Sequence, residues 1–151
     1  MKTNAKAVTL VELLIVVLII SAFTFIAVPR MGIATIFKGK ADTAASQIAS
    51  AIRLCRTLAI NNAATNQQGY SLTMTGSSSY SGFKIINLST SSIVKTETFQ
   101  NGITCTGAND FKFGPIGSRL GDTDSLSVSA GGKTYVISVI SATGMVKCTQ
   151  Q

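Results

Sequence analysis

Hydrophobic and polar positions divide this chain into three regimes. From Val8 to Val28 the sequence is apolar almost throughout, and its only polar members are Thr9, Glu12, Ser21 and Thr24. Leu13 to Ile20 is an unbroken aliphatic run, apolar on every side of a helix. As a helix the segment would reach roughly 30 Å, enough to cross the hydrocarbon core of a bilayer. After Pro29, Gly32 and Gly39 loosen the pattern. From Ala41 a second periodicity begins: Ala44, Ala45, Ile48, Ala51, Ile52, Cys55, Leu58 and Ala59 recur at three- and four-residue intervals, with Asp42, Ser46, Gln47, Ser50, Arg53 and Thr57 on the other side. This spacing predicts an amphipathic helix packed by one face onto a sheet, continuing the apolar segment as one long helix. Asn61, Asn62, Asn66 and Gly69 end it.

Beyond Gly69 the period changes to two. Tyr70, Leu72 and Met74 alternate with Ser71, Thr73 and Thr75, which predicts a half-buried strand. Further strands are expected at Phe83 to Leu88, Ile93 to Phe99 and Ile103 to Cys105, the last two joined by a hairpin at Asn101-Gly102. Phe111 to Phe113 precedes a Gly114-Pro115-Ile116-Gly117 break. Leu126 to Ser129 and Tyr135 to Ile140 flank Gly131-Gly132, a second hairpin signal, and Met145 to Cys148 follows Thr143-Gly144. Tyr135 to Ile140 carries apolar side chains on both faces and is expected to lie centrally. The fold class predicted is α+β: a long N-terminal helix packed on an antiparallel β-sheet domain.

Glu12 is the anomaly of the apolar segment. A carboxylate near the end of such a helix costs on the order of 2 kcal/mol or more to insert unless it is paired or neutralised. No Lys or Arg occurs between Lys6 and Arg30. A cut after Ala7 would supply a cation, because Val8 would then carry a new α-ammonium about one turn from Glu12, or facing Glu12 of a staggered neighbour. On this reading Glu12 aligns subunits along an aliphatic surface that otherwise gives no register. The simpler readings are a secretory signal peptide and a plain membrane anchor. Against the first, the apolar region is long for a signal and no Ala-x-Ala-like site follows it before Pro29.

Ala7-Val8-Thr9-Leu10-Val11-Glu12-Leu13-Leu14 resembles the class III signal of type IV pilins and type II secretion pseudopilins. The resemblance implies cleavage by a prepilin peptidase between Ala7 and Val8, N-methylation of Val8, an inter-subunit role for Glu12 and a helix bend at Pro29. This chain departs from the family in having Ala7 before the cut, where Gly is usual, and Val8 after it. Ala49 to Ala59 followed by Tyr70 to Met74, Phe111 to Gly117, and the final Tyr135 to Ser141 with Gly144-Met145-Val146 are similar to the H-type minor pseudopilin and FimT-like minor pilin group. The implied organisation is a leader at 1–7, a transmembrane and filament-core helix at 8–28, an amphipathic helix at 29–66 and a β-rich domain at 67–151. The implied partners are other pilin or pseudopilin subunits, the peptidase and an inner-membrane assembly platform. The implied place is the bacterial inner membrane, single-pass, with the C-terminal domain in the periplasm, and the implied role is filament tip or initiation assembly. Lys2 and Lys6 before the segment and Arg30, Lys38 and Lys40 after it leave orientation open on charge alone. Major pseudopilins often carry an acidic calcium loop; Asp122 and Asp124 do not match it and read as turn residues.

Composition narrows the chemistry. The chain has 151 residues and a formal charge of +7; loss of Lys2 and Lys6 with a leader lowers that to +5. With no histidine, neither a Ser-His-Asp nor a Cys-His nucleophile system can be built. The acids beyond Glu12 are scattered, no phosphate loop occurs, and no metal or cofactor site is expected. The expectation is a protein that is not an enzyme. Of the three cysteines, Cys105 and Cys148 fall on expected strands and are candidates for a disulfide, with Cys55 inside the helix face. A competing function is DNA binding during uptake, as in some FimT-like members. Arg53, Arg56, Lys112, Arg119 and Lys147 would supply the patch if the fold joins them, although the tail lacks a Gly-Arg-x-Arg pattern.

Overall fold

The computed structural model describes residues 9–27, 33–77, 79–121 and 125–151. The expected cleavage pair Ala7 and Val8, the bend at Pro29, and Asp122 and Asp124 lie outside the described residues. The chain forms two compact units, Met1–Thr35 and Ile36–Gln151.

In the first unit, α1 (Leu10–Ala27) follows Thr9 directly. Its 18 residues rise about 27 Å, short of a hydrocarbon core of about 30 Å. Among the described residues no helix is long and apolar enough to cross a membrane. The expected span ran further, to Val8 and Val28, and both ends lie outside the described residues.

The second unit is built on α2 (Ile33–Asn61), which belongs to it from Ile36 onward. The stripe beginning at Ala41 is buried as the spacing predicts: Ala41, Ala44, Ala45, Ile48, Ala51, Ile52, Cys55 and Ala59 all retain 4% exposure or less. Five of these are alanines, so the helix backbone can lie close to the strands beneath it. Bulk comes from the other side, from the fully buried Phe83, Phe111, Phe113, Leu72, Ile85, Leu126 and Ile137, each worth roughly 1.5–3 kcal/mol of transfer from water.

Those residues sit on two antiparallel sheets, not one. The strands are β1 (Tyr70–Thr75), β2 (Gly82–Asn87), β3 (Ile93–Thr98), β4 (Thr104–Gly107), β5 (Asp110–Phe113), β6 (Arg119–Leu120), β7 (Leu126–Ala130), β8 (Lys133–Ile140) and β9 (Met145–Gln150). The first sheet has the order β3-β2-β1-β5-β6 and the second β4-β7-β8-β9. The expected hairpin at Asn101-Gly102 is corrected: β3 and β4 belong to different sheets, β3 pairing with β2 and β4 with β7. The Asn-Gly turn instead carries the chain across from one sheet to the other. Gly131-Gly132 does close a hairpin, β7 to β8, and β8 lies between β7 and β9 as its two-sided apolar pattern predicts.

α2 stops at Asn61, earlier than the expected boundary at 66, and the turn into β1 is locked by Asn66. This side chain is 3% exposed. Its Nδ2 donates to Gly69 O (2.7 Å) and Asn87 Oδ1 (2.8 Å), while its Oδ1 accepts from Gln68 N (3.1 Å) and Gly69 N (2.8 Å). All four of its hydrogen-bonding positions are filled, so a buried amide becomes a rigid corner instead of a penalty.

At the free edge, β3 is exposed along its whole length. Glu97 lies opposite Phe83 and Lys95 opposite Ile85, so both charges project on the same side of the sheet as the core and pair with each other at 3.2 Å.

Candidate functional site

α1 is apolar at every angle. All eight side chains from Leu13 to Ile20 are 49–62% exposed, and Phe23 is 69% exposed. Its internal hydroxyls do not interrupt this surface. Ser21 Oγ donates to Val17 O (2.7 Å) and Thr24 Oγ1 to Ile20 O (3.0 Å), so both are satisfied within the helix. An aliphatic surface of this extent is stable only when lipid or other apolar chains cover it.

Glu12 occupies the first turn of α1. Its backbone N–H donates to Thr9 Oγ1 at 3.2 Å, and Leu13 N donates to Thr9 O at 3.2 Å. Thr9 is thus the helix N-cap and Glu12 the third helical residue. The Thr9-x-x-Glu12 spacing is that of a capping box, a signal that is present in the sequence itself. The helix N-terminus offsets about 0.3–1 kcal/mol of a carboxylate's cost, less than the roughly 2 kcal/mol or more needed to insert it.

The cysteines are free. The expected Cys105–Cys148 bond is corrected by the strand order: Cys105 lies opposite Val128, Val128 opposite Tyr135, and Tyr135 opposite Gln150, two residues beyond Cys148. Three strand spacings separate the two thiols by about 14 Å, twice the reach of a disulfide. Burial pushes Cys55 and Cys105 up to about 12. Cys148 is exposed on the edge strand β9.

The five cations expected to form a DNA patch do not assemble. Arg119 is 8% exposed and its guanidinium lies over the Phe111 ring, 4.9 Å from its centre. Lys112 pairs with Asp110 at 2.9 Å and sits between the buried Phe111 and Phe113, so alternation turns it to the outer face. Lys147 lies opposite Ser138, whereas the neighbouring pairs Ile137–Cys148 and Val139–Val146 face the core side. Strand alternation therefore puts Lys147 on the face away from α2.

Arg53 and Arg56 remain together, one turn apart on α2. With Thr57, Thr143, Met145 and Val146 they line a groove of about 450 Å³. Arg56 is anchored there: its Nε donates to Gly117 O at 3.0 Å. Gly117 (φ 78°) and Gly144 (φ 64°) both take the left-handed conformation. A Cβ on Gly144 would lie 2.8 Å from Arg56 Nε, and one on Gly117 3.2 Å from it and 2.6 Å from Ile60 Cδ1. The Gly114–Gly117 break and the β8–β9 turn thus meet around one arginine, and glycine gives each loop its close approach.

Sequence comparison adds nothing to this picture: no family model matches the chain, and no curated protein matches it. Structural comparison does. The crystal structure of the type IV minor pilin FimU from Pseudomonas aeruginosa (strain PAO1) is similar to this chain at a TM-score of 0.61, over 74% of this chain and 90% of that one, at 14% identity. The chain has a pilin-like fold. The α+β architecture agrees with the expectation from periodicity, and its likeness to a pilin agrees with the expectation from the resemblance.

Proposed function

We propose that the chain is a minor subunit of a type IV pilus or type II secretion pseudopilus, a structural protein and not an enzyme. The observation that carries this reading is α1, which offers aliphatic side chains in every direction within a chain of pilin-like fold. Segment 8–28 anchors the subunit in the bacterial inner membrane, and the domain stands in the periplasm. A prepilin peptidase cuts between Ala7 and Val8 and methylates the Val8 amine. That amine then meets Glu12 within or between helices, supplying the part of the cost that the helix N-terminus does not offset. Neighbouring copies or related subunits, gathered by an inner-membrane platform, cover the rest of α1 as the filament forms. The subunit takes a place at the tip or in initiation of the filament, as a member of the H-type or FimT-like group that its C-terminal segments resemble.

N-terminal sequencing and intact mass of membrane-extracted protein test processing, with a chain beginning at methylated Val8 as the expected result. Sheared filaments test assembly, with Glu12→Leu expected to deplete the subunit from them. A mature chain starting at Met1 or after Pro29, or unchanged incorporation of the Glu12→Leu variant, would overturn the proposal.

A further inference from the structure

We infer that the groove between α2 and the β8–β9 turn binds a carboxylate-bearing, apolar-flanked segment of a partner protein. Arg53 and Arg56 present two guanidiniums to one opening, and neither makes an ion pair with any described residue. Arg56 is already oriented. Gly117 O holds its Nε, which leaves its remaining N–H donors available, and little side-chain freedom is lost when a ligand arrives. The two left-handed glycines beside it show a cavity shaped around that side chain. Among the described residues no acid lines the groove, and Thr57 and Thr143 add hydroxyls to it. Such a donor set fits a carboxylate, which takes two parallel N–H bonds from a guanidinium.

The surroundings choose a protein over a nucleic acid. A phosphate backbone needs a row of cations, and here the row is broken. Arg119 is buried over Phe111, Lys112 is paired with Asp110, and Lys147 projects from the opposite face. The groove's other wall is apolar, formed by Met145 and Val146. Beside it Ile60, 41% exposed, approaches Gly117, and the adjacent residue along the chain, Ile116, is 84% exposed. An acid between apolar residues matches both walls at once. This inference does not depend on the filament reading, and its test leaves that reading untouched.

The test uses the full chain in detergent micelles and a rhodamine-labelled, terminally blocked peptide of alternating leucine and glutamate. Fluorescence anisotropy is compared with the same peptide carrying glutamine for glutamate, and with a labelled DNA duplex. The glutamate peptide should bind at least about tenfold more tightly than the glutamine peptide, as charge-assisted bonds to arginine require. That preference should weaken with salt and disappear in Arg53→Gln/Arg56→Gln. Should the double variant lose its circular dichroism, Arg53→Gln alone decides, because Arg53 is exposed and carries no structural hydrogen bond; it should weaken the preference several-fold. Equal binding of the two peptides, or a preference unchanged in the variants, overturns the inference. So does tighter, arginine-dependent binding of the duplex, or self-association of the chain that the double variant abolishes.

Discussion

Replacing Asn66 by alanine tests whether one buried amide holds the corner between α2 and β1. The substitution removes four hydrogen bonds, but their losses are unequal. Gln68 N is on an exposed residue and Asn87 is half-buried, so water replaces those two at little cost. Gly69 O retains a bond from Leu88 N (3.0 Å). Gly69 N is the group left stranded, on a buried residue with Asn66 Oδ1 as its acceptor. An orphaned buried donor costs about 1–3 kcal/mol and each lost bond about 0.5–1.5 kcal/mol more, which places the total near 3 kcal/mol. With a urea slope of about 1.5 kcal/mol/M, the unfolding midpoint of the full chain in micelles should fall by about 2 M. Hydrogen exchange gives the local reading: the Gly69 amide should lose its protection in Asn66→Ala. In Asn66→Asp it should stay protected while global stability still falls, because the carboxylate accepts from Gly69 N but cannot donate to Gly69 O or Asn87 Oδ1. An Asn66→Ala midpoint within experimental error of the parent, with Gly69 still protected, would refute the reasoning.

Gly144→Ala should destabilise by about 2 kcal/mol or more, since its Cβ must find room against Arg56 Nε and the Gly117 carbonyl at a positive φ; a midpoint unchanged in urea would mean that the junction yields freely. Cys148 should be alkylated by iodoacetamide in the native protein, while Cys55 and Cys105 should react only after unfolding, as mass spectrometry of the alkylated chain will read. The same two buried thiols should make stability fall with alkali. Their ordinary value is 9.0 and their folded value about 12, so the unfolded chain releases protons first and the stabilisation present below pH 9 is lost as pH rises towards 12. A urea midpoint that stays flat or rises from pH 9 to 11, in a variant series that includes Cys55→Ala and Cys105→Ala, would contradict this.

Periodicity carried much of the fold. The alternation from Tyr70 to Thr75 and the stripe from Ala41 to Ala59 are local signals whose amplitude survives in the folded state because one face is buried and the other is not. What failed was long-range. Asn101-Gly102 has the composition of a hairpin turn, but composition does not say which strands it joins, and β3 and β4 found partners elsewhere. β6 has only two residues and leaves no period to read. The same limit misplaced Cys105 and Cys148: each sits on a strand, yet their separation depends on two intervening strands whose order the residues themselves do not encode. Among the candidate cations, Arg53 and Arg56 were legible as neighbours from helical spacing. The fates of Lys112, Arg119 and Lys147 required the sheets. Asn66 read only as a helix terminator, because a fully satisfied buried amide looks in sequence like any loop asparagine. Thr9-x-x-Glu12 was available all along as a capping signal.

The charge pair on β3 bears on crowding. A fresh strand laid alongside that rim would have to cover Lys95 and Glu97 from water on the core side of the sheet, an arrangement that discourages edge-to-edge zipping. In the proposed filament, copies brought shoulder to shoulder at high local density would otherwise be prone to stitch their domains into a continuous ribbon. Two oppositely charged side chains, pointed inward where fat would ordinarily go, keep each domain a separate bead.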